Sequence, residues 1–120
     1  MSVEEYLERT LKVENREFLI RIIRMSNGCF ISISEGNLHR IGSLNVSLRG
    51  SMGVNTAKVI PSKYDSVFLN MVSERIASLV NGICITSLHT ASALDLKAMK
   101  SIMESITNAI GVTHGSARLS

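Results

Sequence analysis

The chain has 120 residues, 45% hydrophobic and 19% charged, with a formal net charge of +3. That length supports one hydrophobic core, and that composition excludes disordered, collagen-like and disulfide-scaffold chains. Aromatics make up only 4% and Trp is absent, so the core must be aliphatic, built from Ile, Leu, Val and Met.

We read residues 1–120 as a single domain. Ser2 can cap a short N-terminal helix over residues 1–8, with Glu4 and Glu5 where a helix dipole favours acids. Leu11 and Val13 then alternate with polar residues, and Asn15-Arg16 suits a tight turn. The run at 17–25 is rich in β-branched residues and predicts a strand. Asn27-Gly28 between two strand-like runs is a strong hairpin signal. Residues 29–34 put Cys29, Ile31 and Ile33 on one face and Phe30, Ser32 and Ser34 on the other. After a turn at 35–37, alternation over 43–48 points Leu44, Val46 and Leu48 inward and Ser43, Asn45 and Ser47 outward. Residues 50–56 read as a loop, and 57–60 as a short strand stopped by Pro61.

Ser62 or Asp65 caps a helix whose apolar stripe is Phe68, Met71, Val72, Ile76, Leu79 and Val80, ended by Asn81-Gly82. The apolar run at 83–88 predicts a central strand. A last helix starts at Ser92 or Asp95. Its stripe is Leu96, Met99, Met103, Ile106 and Ile110, and Gly111 ends it, leaving 111–120 as a flexible tail. The order is ββββ-β-α-β-α. This predicts an α+β fold, a mostly antiparallel sheet of about six strands with two long helices on one face.

The strand at 17–25 is apolar on both faces, with Phe18, Ile20 and Ile22 on one and Leu19, Ile23 and Met25 on the other. Two helices on one side cover only one of them. Leu19, Ile23, Met25 and Phe30 therefore predict an exposed apolar face of the kind that marks an interface. We assign them to a homodimer packed sheet to sheet; the competing arrangement folds the N-terminal helix over that face.

No catalytic, cofactor or metal site is expected. Cys29 and Cys84 sit in separate apolar runs without zinc-type spacing and read as buried, inert thiols. Cys84 and His89 are the only thiol–imidazole pair close in sequence, and a buried thiol is a poor nucleophile. His39, His89 and His114 show no paired ligand spacing. The glycines at 50 and 53 do not precede the Lys-Ser/Thr of a phosphate-binding loop. Arg9, Lys12, Arg16, Arg21, Arg24, Arg40 and Arg49 outnumber the acids over 9–49. A basic sheet leaves a nucleic-acid or anionic-ligand binder as the alternative function, although the interleaved aromatics of an RNA-binding sheet are absent. The start MSVEEYLER lacks an apolar signal stretch, and no run is long enough to span a membrane. The expectation is a cytoplasmic protein that does not associate with membranes.

Three stretches resemble the proteasome assembly chaperones of the type 3 and type 4 families. They are IGSLNVSL at 41–48, FLNMVSERIASLVNGICITSL at 68–88 and DLKAMKSIMESI at 95–106. The resemblance implies a non-enzymatic dimer that binds proteasome α-type subunits while their ring assembles. It also implies that loops and strand edges carry the partner surface. Arg49, Ser51, Met52, Val54 and Asn55 form the candidate partner-binding loop.

Overall fold

The computed structural model describes residues 5–119, with side chains through Gly111. Its elements are β1 (Glu5–Val13), β2 (Arg16–Met25), β3 (Gly28–Glu35), β4 (Ser43–Gly50), β5 (Gly53–Ile60), α1 (Ser66–Val80), β6 (Ile83–His89) and α2 (Leu96–Leu119). The six strands form one sheet in the order β1-β2-β3-β6-β4-β5. Every pairing is antiparallel except β3 with β6, which is parallel. The α+β class and the mostly antiparallel sheet match the sequence expectation, and β6 is the central strand that its apolar run predicted.

Both helices lie on one face. Phe18, Ile20 and Ile22 of β2, Cys29, Ile31 and Ile33 of β3, and Cys84 and Leu88 of β6 are buried beneath them. Helix α1 packs over β4, β6, β5 and β3, and α2 lies against β1 and α1. Asn81 ends α1 in the left-handed conformation (φ 53°), and the amides of Asn81 and Gly82 donate to the carbonyls of Ser78 and Ala77. Asp95 caps α2 by accepting the Ala98 amide at 2.8 Å. Asp65, at the start of α1, accepts the Leu69 amide with its carbonyl but makes no side-chain cap bond; its carboxylate instead accepts the Leu94 amide, tying the two helix entrances together.

Several expectations are corrected. Residues 5–8 belong to β1, not to an N-terminal helix; Ser2 lies outside the described residues. The alternation of Leu7, Leu11 and Val13 turns a strand edge toward the core and pairs with β2 in full register. Gly111 does not end α2, which continues to Leu119. Residues 50–56 are a hairpin, with Gly50 paired to Gly53 around a two-residue turn at Ser51-Met52. On β4 the faces are inverted: Asn45 and Ser47 are buried, and Leu48 is exposed. Helix α1 meets this strand with polar side chains. Asn45 donates to Asn70 at 2.5 Å, Ser47 bonds Ser73 at 2.6 Å, and Arg49 donates to Ser78 at 2.7 Å. Satisfied polar groups can be buried at little cost, so Leu44, Val46 and Leu48 go to the other side.

The buried stripe of α2 is Ala98, Ile102, Ile106, Ala109 and Ile110. Leu96 is 82% exposed, while Met99 and Met103 are only partly buried against the core. With Phe68 and Met71 of α1, these three line an apolar groove of about 330 Å³ between the helices.

Candidate functional site: the open sheet face

Side chains alternate along every strand, so register decides what the helix-free face presents. Tyr6 pairs with Ile23, Ile23 with Phe30, Phe30 with Ile85, Ile85 with Val46, and Val46 with Ala57. These six residues form one straight row across all six strands, and none of them is charged. The next row carries Met25, Gly28, Ile83, Leu48 and Asn55. Tyr6, Met25 and Leu48 are about half exposed, at 53%, 47% and 49%. Neither helix covers this apolar strip with a described side chain, which makes it the candidate interaction surface.

The strip has a polar border on four of its six strands, the same row continuing as Leu44 and Ile60 on β4 and β5. On its other side stand Glu8, Arg21, Ser32 and Ser87, one per strand. Arg21 lies 3.6 Å from Glu8 and 5.7 Å from the centre of the Tyr6 ring. Beyond this row the segment 36–42 is strapped to the sheet. Ser34 Oγ donates to the Leu38 carbonyl at 2.7 Å and accepts the Arg40 amide, the Gly42 amide donates to Ser87 Oγ, and His39 Nε2 lies 3.2 Å from Glu8. Gly42 is required there, because a Cβ would stand 2.2 Å from the Leu88 carbonyl oxygen. The strap buries Ser34 and Ser87 at that end of the face.

Of the four residues assigned to the interface, Ile23, Met25 and Phe30 fall in the two apolar rows. Leu19 does not: it pairs with Ser34, in the row where the strap is anchored. Val46, Leu48, Ile83 and Ile85 share these rows but were not among the residues that the sequence assigned. For β4 the reason is the inverted face; for β6 it is that a uniformly apolar run does not reveal which residues face out.

The candidate partner loop is the β4–β5 hairpin. Met52 at its tip is 98% exposed, and Ser51 and Asn55 are exposed beside it. Arg49 is tied back to α1 through Ser78, and Val54 packs against the core. These two shape the hairpin, and Ser51, Met52 and Asn55 are its exposed residues.

Cys84 is fully buried, and His89 lies an odd number of residues away on β6, so the two point to opposite faces. They form no catalytic pair. Among the described residues, no three His, Cys, Asp or Glu side chains gather as a metal site, and no helix is long and apolar enough to cross a membrane. Part of the basic charge is already matched. Arg16 donates to both oxygens of Glu35 at 3.0 and 2.7 Å and to the carbonyls of Ala93 and Ser92, and Ala91 donates its amide to Glu35. This clasp holds the β6–α2 connection against the end of the β2–β3 pair. The Arg16 guanidinium holds the Glu35 carboxyl below its ordinary value, and Glu35 in turn raises Arg16.

No family model matches the chain, and no curated protein matches it. Among solved structures, it is similar to a chain in the crystal structure of a chaperone complex for yeast 20S proteasome assembly. The TM-score is 0.67 over 92% of this chain and 98% of that one, at 11% sequence identity. At that identity the likeness is one of fold.

Proposed function

We propose that the protein is a non-catalytic assembly chaperone that works as a dimer and binds proteasome α-type subunits during ring assembly in the cytoplasm. The observation that carries this reading is the uncharged row Tyr6, Ile23, Phe30, Ile85, Val46 and Ala57 across an uncovered face. Such a face is stabilised by packing on a second sheet. A two-fold pairing would set this row and the Met25–Leu48 row against their own copies, with Glu8, Arg21 and Ser32 at the rim. The fold shared with a chain of a proteasome-assembly chaperone complex supports the same reading.

In this account the client contact lies at the β4–β5 tip, in Ser51, Met52 and Asn55, and adjoins the dimer face at Asn55, with Arg49 and Val54 holding the hairpin in place. An exposed Met suits an adaptable contact. The test is a pull-down of proteasome α-type subunits from the same source, with the wild type and with Met52→Asp. Retention by the wild type and at least about a tenfold weakening in the variant are expected for a central contact residue. Absence of wild-type binding to every α-type subunit would overturn the client assignment.

A further inference from the structure

Cys29 and Cys84 stand 55 positions apart, yet the parallel pairing of β3 and β6 sets them directly opposite each other. Their sulfurs are 3.9 Å apart, and only 5% and 0% of the two residues is exposed. The backbones run close at this end of the seam. A Cβ at Gly28 would lie 2.1 Å from the Ile83 carbonyl oxygen, and one at Gly82 would lie 2.3 Å from that of Asn27. Adjacent strands separate Cα atoms by about 5 Å, within the span that a disulfide bridges. Among the described residues, the seam is also the sole strand pairing that joins β1-β2-β3 to β6-β4-β5.

We propose that Cys29 and Cys84 form an oxidation site, at which a hydroperoxide converts the dithiol reversibly into an intramolecular disulfide joining the two halves of the sheet. The two sulfurs are not equivalent. Cys84 Sγ lies 3.2 Å from the Thr86 hydroxyl as well as beside the Cys29 thiol. Hydrogen bonds from both favour its thiolate and lower its pKa, while Cys29, bonded to Cys84 and buried, is raised. Once local opening of the seam admits the oxidant, the Thr86 hydroxyl beside its sulfur makes Cys84 the attacking thiol. Its thiolate displaces hydroxide from the peroxide O–O bond to give a sulfenic acid, and the hydroxide takes up the proton that Cys84 released. The Cys29 thiol then attacks the sulfenic sulfur, the S–S bond forms, and a second water leaves. Two thiols and one hydrogen peroxide give one disulfide and two waters. Hydrogen peroxide is small enough to reach a buried pair through local opening of the seam, and a dithiol reductant reverses the product.

The test exposes the folded protein to hydrogen peroxide, removes the oxidant, then denatures and alkylates for intact-mass analysis. The expected result is a monomer lighter by about 2 Da and carrying no alkyl group, returned to two alkylated thiols by prior reduction. A second measurement traps sulfenic acid with dimedone. Cys29→Ser should accumulate the adduct on Cys84 about tenfold faster than Cys84→Ser does on Cys29. Two alkylated thiols after peroxide, or disulfides only between chains, would overturn the proposal. Faster trapping at Cys29 would overturn the assigned order of attack. If either variant fails to fold, the wild-type mass shift still decides whether the pair closes.

Discussion

Glu35 and Arg16 show how single side chains hold this fold in register. The pair is largely buried, with 15% and 21% of the side chains exposed, and Glu35 also accepts the Ala91 amide. Replacing the carboxylate by an amide keeps one acceptor oxygen for Arg16 but removes the charge and one of the two bonds, leaving an NH2 donor against the guanidinium. Glu35→Gln is expected to cost about 2 kcal/mol of unfolding free energy at pH 7, measured by urea denaturation. Because the folded protein depresses the Glu35 pKa, the carboxylate adds stability above its unfolded value of 4.5, and that stability is lost as pH falls through the lower folded value. The gap between wild type and Glu35→Gln should therefore be constant from pH 7 to about pH 5 and narrow in more acid solution. A gap that widens on acidification would contradict the clasp.

Residue-level chemistry also explains the inversion of β4. Alternation alone sends Leu44, Val46 and Leu48 inward, and it does so correctly only when the covering helix is apolar. Helix α1 offers Asn70, Ser73 and Ser78 to this strand. Complementary polar pairs across two elements leave no periodic trace in either one, so the buried side of β4 was not legible. The cysteine pair was hidden for a similar reason: opposition across a parallel seam depends on register, which local sequence does not encode.

Among the elements, those with strong local signals were read well. The strand at 17–25 is β2 with both faces as assigned. Asn27-Gly28 does close a tight connection, with Met25 paired to Gly28 around Ser26-Asn27, and Asn81 does end α1. Helix α2 shows where size misleads. Leu96 looked like core because it is large, Met99 and Met103 pack only at the core's margin, and Ala98 and Ala109 were passed over because they are small. Small residues let a helix sit close to its neighbours, and the buried stripe runs through them. A pair of substitutions separates the alternatives. Ile102→Ala, at a fully buried position, should cost about 3 kcal/mol. Leu96→Ala, at a position 82% exposed, should change stability by no more than about 0.5 kcal/mol. Chemical denaturation of both variants checks this, and equal losses would restore the original stripe.

At the scale of the whole molecule, the sheet has one face committed to the helices and one that is not. The second face was legible in outline from β2 and Phe30, because a strand apolar on both sides needs two covers. Its full extent needed the strand order, which places β6 between β3 and β4 and brings Ile85 and Val46 into line with Phe30. The strap at 36–42 then covers Ser34 and Ser87 at one end of the face. The face is thus an apolar strip bordered by polar residues on β1, β2, β3 and β6, which suits the self-complementary interface proposed above. Light scattering on the purified chain at tens of micromolar, with and without Ile85→Asp, tests that assignment. The account requires a wild-type mass twice the 13.1 kDa of one chain, and a variant that is monomeric with unchanged circular dichroism. A wild-type protein that is monomeric at that concentration would contradict it, as would a dimer that survives a charge at the centre of the strip.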